Sequence, residues 1–222
     1  VFPGGRIDAH DHEIAADSAL VRGRAEGEEA AARVAAIRET LEESGIAIGF
    51  VGAPTQDWTA TAQKRLHNKA AFADLLREAG HTLDLDVLVP WSRWRPNHRE
   101  ARVFDTRFYI ATADGAPDPV VDETENVSSF WASAADIIAA ADAGKVKVIY
   151  PTRRNLERLA LFSAYDDAHA HARSIAIEIV SPTVEQREDG MHLCIPGHLG
   201  YPVTSELLSD VQRGFGASAG KM

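Results

Sequence analysis

Cysteine is nearly absent from this chain of 222 residues, in which Cys194 is the single example. One cysteine excludes an intrachain disulfide and a zinc site built on thiolates, so the fold must depend on its core. No apolar run reaches the ~20 residues that a transmembrane helix needs, and no secretory signal opens the chain. We therefore expect no association with a membrane, and the default expectation for location is the cytoplasm.

An excess of positive charge is also missing, because 33 acidic residues face 23 basic ones and the formal charge is −10. This balance argues against general affinity for nucleic acid. Apolar residues make up 45% of the chain and charged residues 25%, as in ordinary globular proteins. A chain of this length fits one domain with a substantial core.

The most informative segment is 38–46, which reads RETLEESGI. On a helix, Glu39, Glu42 and Glu43 stand at i, i+3 and i+4 and project from one face. Carboxylates this close repel one another unless a positive charge lies among them, and hard divalent ions such as Mg²⁺ prefer carboxylate oxygens. A solvated acidic face would account equally well for the three glutamates taken alone.

The segment resembles the second half of the Nudix box, G-x5-E-x7-R-E-U-x-E-E-x-G-U, where U is a bulky aliphatic residue. Thr40 departs from this pattern at the first U position, with Leu41 next to it. The family also places an F-P-G-G turn ahead of the box, and residues 2–5 read FPGG. Between Gly5 and Arg38 lie 32 residues where the simple box has 13, an insertion found in the subgroup of peroxisomal coenzyme A diphosphatases. Further segments similar to that subgroup are FDTRFY at 104–109 and DGMHL at 189–193.

The resemblance implies an α/β fold: a Nudix-type α/β/α sandwich with a mixed sheet and extra helices in the insertion and the C-terminal region. We expect a single domain over 1–222, with an insertion at 9–27 and a flexible tail at 214–222. A Nudix fold has strands before its FPGG turn, and these would be missing from a sheet that starts at Val1.

Periodicity predicts the main elements. Those nearest the box are a helix over Glu28–Ser44, a strand over Ala47–Gly52 and a second helix over about Ala60–Glu78. The remaining ones are strands at Leu83–Trp91, Val103–Ala111 and Asn126–Ala132, helices at Ala134–Ala143 and from Pro151 onward, and a hairpin around Glu188–Ile195.

By resemblance, the chain would use Mg²⁺ or Mn²⁺ to hydrolyse a nucleoside diphosphate linked to another moiety, coenzyme A or acyl-coenzyme A among the candidates. Carried over by motif position, Glu39, Glu42 and Glu43 are the metal ligands, and Gly5 offers its backbone carbonyl. Glu39 or a neighbour would orient or deprotonate the attacking water. Arg38 would pair with a carboxylate of the box and orient it.

A fourth carboxylate comes from a remote loop in some Nudix enzymes. Glu125 is the candidate here, six residues before Trp131, and Glu123 replaces it if the register differs by two. An exposed acid in a polar run is an equally reasonable reading of Glu125. The first Glu of the box is displaced, because Glu29 stands nine residues before Arg38 where eight are needed, and Ala30 fills that place.

A cluster of arginines in an otherwise acidic chain could hold substrate phosphates. Three aromatic residues could stack on an adenine: Trp91, Trp94 and Phe108. A core role for these aromatic residues and solvent exposure for half the arginines are equally reasonable. The substrate-binding candidates are Arg93, Arg95, Arg102 and Arg107, with Arg99 between them.

Two other functions stay open at this point. A Nudix-fold module that binds a nucleotide without hydrolysing it would fit the departures from the family pattern. The string DAHDH at 8–12 imitates the D-x-H-x-H opening of metal-dependent amidohydrolases, but that fold needs a barrel of ~250 residues with further His and Asp ligands. The expected ligand is a small nucleoside diphosphate derivative, and a homodimer is common in the family.

Overall fold

The structure, a computed structural model, describes residues 2–95, 105–113, 115–119 and 129–215. The chain divides into two compact units. Phe2–Val89 and Ala111–Trp131 form the N-terminal unit, and Pro90–Ile110 and Ala132–Met222 form the C-terminal unit. No helix within the described ranges is both long and apolar enough to cross a membrane.

The N-terminal unit is mostly helical in its described part. Its helices are α1 (Ala9–Ala16), α2 (Gly27–Ser44), α3 (Gln56–His67) and α4 (Phe72–Ala79). Strands β1 (Val21–Arg22) and β2 (Leu83–Asp84) pair in parallel, and one turn of 3-10 helix follows at Leu85–Val87.

Helix α2 carries the predicted acidic segment and is anchored by its apolar face. Ala31, Val34, Ile37 and Leu41 recur every three or four residues, and all four are fully buried. Gly45 ends the helix in the left-handed conformation, at φ 68°, and its N–H donates to the carbonyl of Leu41. With one face in the core, the polar face is free to present the glutamates. The predicted helix over Glu28–Ser44 is confirmed.

Helix α1 lies inside the segment 9–27, which is the expected insertion, and packs against α2. A capping box fixes its start: the Asp8 carboxylate accepts from the backbone N–H of Asp11, and the Asp11 carboxylate accepts from that of Asp8. Ile14 is buried on the inner side of this short helix. The insertion is therefore an ordered part of the unit.

The C-terminal unit combines two small sheets with helices. The first sheet has the order β4–β3–β5, with β3 (Val89–Trp94) parallel to β5 (Ile179–Val180) and with β4 (Thr106–Ile110) at the other side of β3. The second is antiparallel and consists of β6 (Thr183–Arg187), β7 (Gly190–Cys194) and β8 (Ser205–Leu207). The helices are α5 (Ala134–Asp142), α6 (Tyr150–Leu159), α7 (Tyr165–Ser174) and α8 (Leu208–Phe215). The expected α/β class, with extra helices in the insertion and the C-terminal region, is confirmed.

Several predicted elements differ from the observed ones. The strand expected at Ala47–Gly52 is wrong, because Gly49 and Gly52 adopt φ values of 73° and 77° that interrupt an extended backbone. The single helix expected over Ala60–Glu78 is two helices, since the chain turns between α3 and α4. The strand expected over Leu83–Trp91 is divided by the 3-10 turn.

Other predictions have mixed outcomes. The central part of the strand at Val103–Ala111, the helix at Ala134–Ala143, the helix begun at Pro151 and the hairpin around Glu188–Ile195 are confirmed. Residues 129–132 form no strand, and 126–128 and 216–222 lie outside the described residues. Residues 8–12 form the cap and first turn of α1 instead of following a barrel strand, which contradicts the amidohydrolase alternative.

Candidate functional site

The FPGG turn lies directly against the acidic face of α2. The Gly4 N–H is 3.4 Å from the Glu43 carboxylate oxygen Oε2. A Cβ built on Gly5 would overlap the carboxylate of Glu39, with Oε2 only 2.6 Å away, whereas one built on Gly4 would have nothing within 4 Å. A side chain at position 5 would therefore displace the Glu39 carboxylate from its place. The structure brings the two sequence motifs together.

The carboxylates of Glu39 and Glu42 are largely enclosed, with 15% and 14% of their side-chain surface exposed. Glu42 has the basic side chains of α3 and the following turn beside it: Nδ1 of His67 at 4.0 Å and Nζ of Lys69 at 3.7 Å from its Oε1. Its backbone carbonyl accepts from Nε2 of Gln63. The acidic face is thus part of a structured site and not a solvated surface.

Arg38 connects these carboxylates to the insertion. Its Nε and Nη2 donate to Oδ1 and Oδ2 of Asp11, both at 2.9 Å, and its Nη1 donates to Oε1 of Glu39 at 2.7 Å. Nη2 also donates to the carbonyl of Arg6, and Nη1 is 3.7 Å from Oε2 of Glu42. A two-pronged pair between guanidinium and carboxylate fixes the plane of both groups. Arg38 is consequently held in one orientation.

Asp11 is the residue that the sequence interpretation missed. Its side chain is fully buried, and it stands six residues after Gly5, the interval that the box gives to its first Glu. Glu29, considered for the same role, instead pairs with Arg33 one turn along α2. The interval of six residues from Gly5 could have identified this position. It was overlooked because an aspartate stands where the box has a glutamate, and because the insertion separates it from the rest of the box.

The protonation of the site follows from its enclosure. Burial raises the pKa of the Glu39 carboxyl above its usual value, and the Arg38 guanidinium offsets only part of that rise. Burial alone would lower the pKa of Arg38, but the carboxylates of Asp11 and Glu39 outweigh it and the pKa is raised. Arg38 is permanently cationic, and Glu39 would gain from a further positive charge nearby.

The donor set fits a hard divalent ion in an open coordination. No three acidic, histidine or cysteine side chains of the described residues converge closely enough to hold an ion by themselves. Mg²⁺ commonly uses one or two carboxylates and completes its octahedron with water and substrate phosphates. Two carboxylates, those of Glu39 and Glu42, lie within reach of one guanidinium, and Gly5 lies directly against the first of them. This arrangement suits that mode.

The three predicted arginines that the structure describes, Arg93, Arg95 and Arg107, lie in the C-terminal unit. Arg93 forms a two-pronged pair with Asp105, whose pKa is lowered chiefly by this contact, with smaller effects from Arg107 and Arg95. Three of the candidates therefore surround one aspartate. Arg99, Arg102, Glu123 and Glu125 lie outside the described residues.

The aromatic residues proposed for stacking belong to the core. Trp91 and Trp94 each expose only 2% of their surface. Trp94 donates from Nε1 to the hydroxyl of Tyr201, and the Arg158 guanidinium lies 4.0 Å from the ring centre of Trp91. Stacking of either tryptophan on an adenine is wrong for this structure, because both side chains are buried in the core.

Comparison with known proteins gives consistent matches. The family model of the NUDT19 Nudix domain matches residues 12–159. The acyl-coenzyme A diphosphatase NUDT19 of Xenopus laevis is 27% identical over 93% of this chain, and that of Gallus gallus is 26% identical over 78%. A crystal structure of a Nudix hydrolase from Alicyclobacillus acidocaldarius superposes with a TM-score of 0.66 at 26% identity, covering 77% of this chain and 79% of that one. The chain spans 60% and 53% of the lengths of the two curated relatives.

Proposed function

The chain belongs to the family of the NUDT19 Nudix domain, and from this premise we propose that it hydrolyses the diphosphate bridge of a nucleoside diphosphate derivative. The main support is the contact between the Gly4–Gly5 turn and the carboxylates of Glu39 and Glu43 on α2. The predicted resemblance to a coenzyme A diphosphatase is confirmed at the level of the family. The activity, the substrate and the roles of individual residues are the proposal.

Glu39, Glu42 and Glu43 would hold the divalent ion, with the backbone carbonyl of Gly5 as a further ligand. When bound, Mg²⁺ or Mn²⁺ would neutralise the charge of the diphosphate oxygens and lower the pKa of water. The chain's own contribution is a rigid anionic surface: α2 fixes the spacing of the glutamates, and Arg38 holds Glu39 in one rotamer through its pair with Asp11.

Water must be oriented and deprotonated for attack on phosphorus. Glu39 is our candidate for this step, because Arg38 holds its carboxylate in one orientation beside the glycine turn. Its Oε1 is held by Arg38, so Oε2 is the oxygen left to accept the proton of the water. Glu42, enclosed to the same degree, is the neighbour that would take over if Glu39 served only as a ligand.

Coenzyme A or an acyl-coenzyme A is the substrate class that we propose. Two curated relatives are named as acyl-coenzyme A diphosphatases, and each matches most of this chain. Arg93, Arg95 and Arg107 are proposed to bind substrate phosphates, since all three lie near Asp105 and together concentrate positive charge in an otherwise acidic chain.

The decisive experiment compares release of nucleoside monophosphate from coenzyme A and other nucleoside diphosphate derivatives by the wild type and the double variant Glu42→Gln/Glu43→Gln. Loss of two ligand charges should lower turnover about 100-fold or more, because outer partners of metal sites alone contribute 10–100-fold. Glu28→Gln, in the exposed first turn of the same helix, removes a charge without touching the site. Unchanged turnover in the double variant would refute the metal assignment.

A binding module without catalysis is the second candidate. The observation in its favour is that the carboxylates of the described residues do not enclose an ion by themselves. Isothermal titration calorimetry separates the two functions: a module would bind coenzyme A without consuming it and without requiring a divalent ion.

A further inference from the structure

The turn between α3 and α4 contains a backbone conformation that its sequence does not favour. Lys69 has φ 63° and is the only non-glycine residue with positive φ in the described part of the chain. Its N–H donates to the carbonyl of Leu66 at 2.7 Å, and the N–H of Ala70 donates to that of Arg65 at 2.9 Å. These two bonds define a Schellman motif, in which the left-handed position normally holds glycine. A lysine there is locally unfavourable.

Packing does not explain the lysine, since 82% of its side chain is exposed. The conformation nevertheless directs its ammonium group to the acidic site, where Nζ lies 3.7 Å from Oε1 of Glu42. Exposed ion pairs contribute little to stability, so this contact alone does not compensate for the backbone. Unfavourable backbone conformations of this kind concentrate at functional sites.

The side chains of Lys69 and Arg38 differ in how far they can move. Arg38 is 13% exposed and bound by Asp11, Glu39 and a backbone carbonyl, so it cannot turn to a ligand. Among the residues that the structure describes, Lys69 has one carboxylate neighbour, and its stem is flexible and solvated. If a divalent ion binds Glu42, the ammonium group is repelled from the ion and loses its partner. A diphosphate arriving from solvent would then be the nearest anion, and ammonium groups bind phosphate as point charges.

We propose that Lys69 is a substrate-binding residue that contacts the diphosphate of the ligand on the solvent side of the site. The inference rests on the proposed function, because it needs a diphosphate beside Glu42. With Lys69 in this role, the turn between α3 and α4 forms one wall of the site. The ammonium group of Lys69 is then a mobile cation beside the cluster of carboxylates.

The test uses four variants of the whole chain. Lys69→Met removes the charge, Lys69→Arg restores it, and Lys69→Gly removes it while relieving the backbone. Lys64→Met is the matched control, since Lys64 is exposed on α3, the helix that precedes the turn. Coenzyme A turnover with Mg²⁺ gives KM and kcat, and calorimetric titration with methylenediphosphonate and Mg²⁺ gives binding without turnover.

We expect Lys69→Met to raise KM and weaken binding of the analogue about tenfold each, the usual effect of losing one charge-assisted contact, with kcat little changed. Lys69→Arg should restore most of both, and Lys64→Met should match the wild type. Lys69→Gly should bind the analogue as weakly as Lys69→Met while melting at a higher temperature, a split that a purely structural lysine would not produce. Mn²⁺ binding without substrate should be as tight in Lys69→Met as in the wild type, or tighter.

Unchanged KM and analogue affinity in Lys69→Met, or an equal loss in Lys64→Met, would overturn the proposal. Failure of the proposed function looks different, because the wild type itself would then neither hydrolyse coenzyme A nor bind Mn²⁺. The analogue titration still decides on Lys69 in that case: wild-type affinity in Lys69→Met rejects it, and a tenfold loss that Lys69→Arg restores supports it.

Discussion

Replacing Asp11 by asparagine should damage both stability and turnover, although Asp11 is separated from Arg38 by 27 positions in sequence. The carboxylate is fully buried and accepts three hydrogen bonds, two from Arg38 and one from the backbone of Asp8. Asparagine keeps one acceptor and turns an N–H₂ group toward a donor, so a charge-assisted bond is lost and the enclosed Arg38 loses its main counter-charge. Breaking such a pair costs about 3 kcal/mol.

For a chain of 222 residues this change corresponds to a fall in Tm of about 6–12 °C, measured by differential scanning calorimetry. In the molecules that remain folded at 20 °C, kcat for coenzyme A should fall about 10–100-fold, because Arg38 no longer fixes Glu39. Asp17→Asn is the control, since Asp17 ends the same helix in an exposed pair with Arg77 and should change neither quantity appreciably. A stable Asp11→Asn variant with wild-type kcat would refute the coupling from insertion to site.

Two further predictions use other parts of the chain. Gly5→Ala should lower turnover at least about tenfold by displacing Glu39, whereas Gly4→Ala, with open space at its Cβ, should retain it; coenzyme A kinetics measure both. Burial, and then the nearby Arg158, lower the pKa of His171, which accepts from Nε of that arginine. The unfolded chain therefore takes up the proton more readily, so this contribution to stability is complete above about pH 6.5 and is lost as pH falls through the folded pKa. The drop in Tm from pH 7.5 to 5 should be larger in the wild type than in His171→Gln, and equal drops would contradict the assignment.

The predictable part of the site was the part encoded in local periodicity. The spacing of Glu39, Glu42 and Glu43 gave one helical face, and the buried residues of α2 have the 3.6-residue repeat that positions this face outward. The break between α3 and α4 could not be foreseen, because the usual signal is a glycine and the chain has Lys69 there. The burial of the tryptophans could not be predicted from local sequence either, because it depends on β5 and on Tyr201, which are distant in sequence.

The position of Asp11 shows why a long insertion can be accepted at this point. Closing a flexible segment of 27 positions instead of eight costs only about 1 kcal/mol more, because the entropy of closure grows with the logarithm of length. Burial of Ile14 and Leu20 within the inserted residues exceeds that amount, since a fully buried aliphatic side chain contributes about 1.5–3 kcal/mol. The insertion thus adds apolar side chains to the core of the unit, and α1 places the Asp11 carboxylate against Arg38. Substitutions that keep Ile14 and Leu20 buried should leave turnover intact even when the exposed residues between them change.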